Sequence, residues 1–153
     1  MLVVVGCSTT PIGKREASSP RLDRVFDKGY LAKTTDCRPV HLTRDAGLVL
    51  IGFEHIVLID GKPVVALKSA ESIEICLSPA VHMITAIPAS DIYIGLTDNR
   101  SLASYKLYDD PQIRGDLEID TRPDMRFNVR IWSAHTGGAQ KTRLDYIGER
   151  MVR

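Results

Sequence analysis

A chain of 153 residues suits one compact domain with a tail, because a domain of about 100–150 residues already buries most of the surface its unfolded chain exposes. With 20 Lys and Arg against 19 Asp and Glu the net charge is +1, which argues against nucleic acid as a partner, and 44% hydrophobic residues argue against a disordered chain. No apolar run approaches the roughly 18 residues that a membrane-crossing helix needs.

The chain opens on a short apolar run, Leu2 to Val5, closed by Gly6-Cys7. "STTPIGKREASS", Ser8 to Ser19, follows; it is rich in Ser, Thr and charge and poor in large apolar residues, the composition of a flexible tether. Val4-Val5-Gly6-Cys7 resembles the lipobox of bacterial lipoproteins, in which the cysteine thiol receives a diacylglycerol and becomes the mature N-terminus. The resemblance implies a lipid on Cys7, a residual signal over 1–7 and a tether over 8–20. In that family a non-acidic residue after the cysteine, here Ser8, goes with an outer-membrane, periplasm-facing location. The departure is in length, since an export signal carries a positive start and about 7–15 apolar residues; "VVVGC" also fits a first strand with a buried cysteine. Three cysteines are an odd number, and giving Cys7 to a lipid leaves Cys37 and Cys76 as a candidate disulfide in an oxidising periplasm. Two separate reduced thiols remain the alternative.

From Arg21 onward the spacing of Leu22, Val25 and Phe26 predicts a short helix ended by Gly29. Strand signals then take over. "GLVLIGF" is one strand, and "HIVLIDGKPVVALKS" predicts a hairpin turning at Asp60-Gly61, a pair that takes the positive φ values of a type I′ turn. Pro63 lacks an N–H, so the second hairpin strand is expected to begin at an edge or to pair with its N–H side outward. Ile73, Ile75 and Leu77 alternate with Glu74 and Cys76 as a half-buried strand, and another follows from Val81 to Ile87, closed by Pro88. "DIYIGL", "LASYKLY", "GDLEI", "RFNVRIWSA" and "LDYIG" continue the pattern, separated by turn signals every 8–12 residues or so. Leu144, Ile147 and Met151 predict a short C-terminal helix.

This grammar predicts an all-β fold: an antiparallel β-sandwich of about seven to eight strands over 21–153, with a disordered N-terminal tether and at most one short helix. The middle stretch, Ile59 to Ala86, resembles the core hairpins of small bacterial lipoprotein domains, in which an Asp-Gly-Lys turn and a Leu-x-Pro-Gly-x-His step join successive strands. The resemblance implies a sandwich of the carrier or carbohydrate-module type, with binding or unassigned roles. Ala80 stands where that pattern has glycine, which speaks against a positive φ there.

Four histidines, His41, His55, His82 and His135, are the natural places to look for catalysis or metal. Cys37, His41, Cys76 and His82 could supply a tetrahedral zinc, but the spacing is not that of a zinc knuckle, so no metal site and no cofactor is assigned. His82 is expected to pack or hydrogen-bond at a strand start, and His55 to be exposed or bonded to a neighbour. No Gly-x-Ser-x-Gly elbow or phosphate loop is present, "HTGGAQKT" reading as a hairpin turn, so no catalytic residue is assigned. Asp109, Asp110, Asp120 and Asp124 read as solvated turns. On the register of "RFNVRIWSA" Trp132 shares the polar face with Asn128 and Arg130, making Trp132 and Arg130 candidate contacts for a partner or sugar. The alternative tucks Trp132 under a neighbouring loop. The expectation is a non-enzymatic, lipid-anchored binding or assembly protein of the envelope, with membrane lipid and an envelope protein as partners. A soluble small-ligand or carbohydrate-binding module is the second reading, and a Cys/His zinc protein the third.

Overall fold

The computed structural model describes residues 10–13, 16–46, 53–91, 101–136 and 139–150. Val4 to Cys7 and Ser8, with most of "GLVLIGF" and "DIYIGL", lie outside the described residues. Among the described residues nine strands form: β1 (Arg38–Arg44), β2 (Glu54–Ile59), β3 (Lys62–Leu67), β4 (Ser72–Leu77), β5 (Val81–Asp91), β6 (Tyr105–Leu107), β7 (Gly115–Asp120), β8 (Met125–Thr136) and β9 (Ala139–Arg150). One sheet runs β4-β1-β8-β9; the other runs β3-β2-β5-β6, with β7 also on β5. The pairing is antiparallel except where β1 lies parallel to β8. The all-β sandwich expected from strand spacing is the fold.

The Asp60-Gly61 hairpin forms as predicted, with φ of 51° and 79°. Pro63 lies in β3, at the edge of its sheet. Residue alternation then builds the core: Val40 and Leu42 from β1 and Phe127, Val129 and Ile131 from β8 meet Val57, Ile59, Ile84 and Ile119 from the facing sheet. The second sheet is covered on its other face too, where Ile56, Ala66, Ala89 and Tyr105 pack with Phe26, Leu58, Leu102 and Leu107. Burial on both faces is why β2 and β3 read as nearly continuous apolar runs.

Three expectations are corrected. The segment around Leu22 and Phe26 makes two single 3-10 turns, Leu22–Arg24 and Lys28–Leu31, with Gly29 inside the second. A continuous helix is lost because Val25 bridges Val65 and the Phe26 N–H bonds Val64 O instead. The C-terminal residues Leu144 and Ile147 belong to β9, whose uninterrupted pairing with β8 outweighs a weak helical spacing. Pro88 does not close β5, which continues to Asp91. It is tolerated because β7 pairs residues 81–86 and β6 pairs 89–91, so the missing N–H faces the gap between them. β1, which the sequence reading did not predict, forms from "RPVHLTR", whose Val40 and Leu42 alternate with His41 and Thr43.

The segment expected as a tether is laid against the body at two points. Thr10 exchanges backbone hydrogen bonds with Ala46, and Ser18 bridges Glu71.

The sheets cross closely at Gly115, where an added Cβ would lie 2.3 Å from Leu144 Cδ1 and 2.9 Å from the Thr142 carbonyl oxygen. The backbone oxygen cannot swing aside. Gly115→Ala is expected to lose about 1–3 kcal/mol of unfolding free energy by denaturant titration; an unchanged midpoint would contradict the close approach.

One end of the sandwich holds a buried polar cluster. Arg24 Nη1 donates to Glu71 Oε2 at 2.6 Å and to Ala66 O at 3.2 Å, and Arg24 Nη2 reaches Glu71 Oε1. Arg44 Nη1 donates to Phe53 O at 2.6 Å and Leu67 O at 2.9 Å, tying β1 to the facing sheet. The Tyr105 hydroxyl donates to Glu54 Oε2 at 2.8 Å. Burial draws Arg44 down to about 10 against the opposing pull of Glu54 and Glu71.

Candidate functional site

The outer face of the four-stranded sheet carries a concavity. Inward Val40 and Leu42 alternate with His41 and Thr43 in β1, and inward Phe127, Val129 and Ile131 with Asn128, Arg130 and Trp132 in β8. Register sets these outward residues in rows: Glu74, His41, Asn128, Ile147 in one, and Ser72, Thr43, Arg130, Asp145 in the next. Pro11 and Ile12, brought there by the Thr10–Ala46 pairing, complete a cleft of about 350 Å³ whose floor holds polar side chains but whose accessible lining is mostly apolar.

The floor is held in place by its own charges. Arg130 Nε donates to Asp45 Oδ2 at 2.6 Å, and Asp45 is only 1% exposed. The Arg130 guanidinium lies 5.4 Å from the centroid of the Trp132 ring, and Trp132 Nε1 donates to Asp145 Oδ2 at 2.7 Å. Trp132 and Arg130, singled out by alternation, are therefore together on one face, with the indole half-buried and its N–H already satisfied. The amide oxygen of Asn128 is buried at the cleft with no hydrogen-bond partner among the described residues. An acceptor left in that state suits a ligand donor such as a hydroxyl or amide N–H. Sequence reading did not place His41, Asp45 and Asp145 at this site, because neighbours across strands follow only from register.

The other candidates are placed elsewhere. Cys37 and Cys76 form a disulfide with Cα atoms 5.2 Å apart. A disulfide sulfur is not a thiolate, so the four-ligand zinc set of Cys37, His41, Cys76 and His82 is not available, and no group of three or more metal-ligating side chains occurs among the described residues. His82 caps the start of β5 as expected: Nδ1 lies 2.7 Å from Asp60 Oδ2 and Nε2 2.9 Å from Ser78 O. The His135 side chain lies outside the described residues. Two of the acidic turns are self-contained, Asp109 pairing Arg114 at 2.8 Å and Asp120 pairing Arg122 at 2.6 Å, whereas Asp124 reaches Arg38 of β1 at 3.8 Å. Arg122 holds the Asp120 carboxyl down to about 2.

Of the two positions expected for His55, exposed or bonded to a neighbour, it takes the second: it is fully buried between the sheets, with Nε2 3.0 Å from the Thr142 hydroxyl. Burial, with Arg44 nearby, holds it well below 6.5. The unfolded chain takes up that proton at about pH 6.5 while the folded chain does not, so stability is full above this pH and falls below it, by about 1.4 kcal/mol per pH unit. Urea titrations at about pH 7.5 and about pH 5 should show that loss, and His55→Gln should remove it. An equal slope in the variant would refute the assignment.

No protein-family model, curated protein or solved structure matches the chain.

Proposed function

We propose that the chain is a non-enzymatic binding or assembly protein of the bacterial envelope, anchored by a lipid on Cys7 and presenting the outer face of the β4-β1-β8-β9 sheet to an envelope partner. The observation that carries the reading is the Cys37–Cys76 disulfide. Disulfides persist in oxidising compartments such as the periplasm. The bond also uses two of the three cysteines and leaves Cys7, the one in the lipobox-like Val4–Cys7, for another fate. Neutral net charge fits a protein partner better than a polyanion.

The function of such a protein is to hold a surface near the bilayer, which raises the effective concentration of the contacts that surface makes. The surface offered is the cleft, with Arg130 and Asp145 fixed by Asp45 and Trp132 before any partner arrives. Fixed side chains lose little entropy on binding.

Expression from the native locus followed by fractionation and mass spectrometry of the N-terminal peptide tests the reading. Acyl groups on Cys7, with Cys37 and Cys76 lighter by two hydrogens, are the expected result. An unmodified Cys7 in a cytoplasmic protein with free Cys37 and Cys76 thiols overturns it. A second reading, a soluble carbohydrate or small-ligand module, is favoured by the unpartnered Asn128 amide oxygen in the cleft. Glycan binding that is lost in both Asn128→Leu and Trp132→Ala would select it.

A further inference from the structure

We propose that β9 is a homodimer interface, and that two copies join edge to edge through residues 143–149 into one continuous eight-stranded sheet. β9 ends its sheet and pairs only with β8 among the described residues. Which backbone groups face outward is set by one bond: the Thr142 N–H donates to Ile113 O at 2.7 Å, away from β8. In an unbroken antiparallel ladder both backbone groups of every second residue point the same way, so those of Leu144, Tyr146 and Gly148 also face the open edge. Ile113 and Gly115 cover that edge at Thr142. Beyond it no strand among the described residues pairs with β9, and Tyr146 and Ile147 there are 46% and 69% exposed. An open edge of this kind is a template for another strand.

The charge pattern selects a second copy as the occupant. A two-fold axis through Tyr146 sets Leu144 opposite the partner's Gly148, the residue pair whose backbone groups face outward, so hydrogen bonding and register agree. The same axis sets Arg143 opposite the partner's Glu149 and Asp145 opposite the partner's Ile147, and each pair occurs twice. All four of these side chains lie on the outer face, the parity of Asn128↔Ile147 and Arg130↔Asp145. Moving the axis one residue, to Asp145, sets two aspartates against each other, which disfavours that register. Asp145 and Ile147 also line the cleft, so pairing places two clefts side by side across the axis.

Sedimentation of the full chain carrying Cys7→Ser, which excludes an intermolecular disulfide and any lipid, tests this independently of the anchoring proposal. A concentration-dependent dimer is expected, weakened about tenfold or more by Arg143→Glu or Glu149→Arg alone and restored by the two together. Backbone amides of Leu144, Tyr146 and Gly148 should gain hydrogen-exchange protection on dimerisation. Circular dichroism of each variant checks that it folds. A chain that stays monomeric to about 100 μM, well above the micromolar affinity of a small interface, or a dimer indifferent to both reversals, overturns the proposal.

Discussion

Arg24→Ala is expected to lower the unfolding free energy by about 3–5 kcal/mol, because it leaves the Glu71 carboxylate buried without its counter-ion. Arg24 and Glu71 are 3% and 6% exposed and meet through two guanidinium nitrogens and both carboxylate oxygens. Glu71 Oε2 also accepts the Lys68 N–H at 2.8 Å, so the carboxylate organises the turn between β3 and β4 as well as the cation. Burial opposes the charge on Arg24, yet the Glu71 bond and charge hold its proton above the ordinary value. Glu71→Gln removes the charge and keeps one acceptor, and should cost nearly as much by leaving the buried Arg24 with only Ala66 O and the more distant charge of Glu54. Arg24→Met with Glu71→Leu removes both charges, and should recover most of the loss. Urea unfolding of the four proteins gives the coupling energy. Single variants within about 1 kcal/mol of the parent would mean that water reaches the pair and screens it.

Breaking the Cys37–Cys76 bond should cost about 4 kcal/mol. The bridge spans 39 residues, and the loop-closure estimate for a loop of that length is of this size. Cys76 sits on β4 opposite Pro39, so the bond joins the residue just before β1 to the strand beside it and lies away from the core. Cys37→Ser and Cys76→Ser should therefore show similar losses, with the folded core unchanged and the effect carried by the freer unfolded chain. Thermal unfolding with and without dithiothreitol checks the wild type. A thiol titration of the folded Cys7→Ser protein should find no reactive thiol. Stability indifferent to reductant would refute the estimate.

Fold class was legible because it rests on local signals. Asp60-Gly61 is a turn whose φ values few other pairs take as readily, Ile73, Ile75 and Leu77 alternate cleanly, and Pro63 marks an edge. The errors share one cause, a weak local preference overruled by a distant partner. "RPVHLTR" carries only two alternating apolar residues, Val40 and Leu42, and becomes the centre of a sheet because β4 and β8 flank it. Leu144 and Ile147 have helical spacing and become strand because β8 is there to pair with them. His55 looks like a polar strand opener and is buried because Thr142, from the far sheet, supplies its hydrogen bond.

The candidate site divides in the same way. Period-two alternation in "RFNVRIWSA" by itself put Asn128, Arg130 and Trp132 on one face, and the count of cysteines by itself made Cys37 and Cys76 a candidate pair. What surrounds them was decided only by the tertiary structure: Asp45 under Arg130, Asp145 against the Trp132 indole, and Pro11 and Ile12 along the cleft. Alternation is a property of neighbouring residues along one strand, whereas register between strands 85 residues apart, as for Arg130 and Asp45, is set by how whole sheets bury their inner faces.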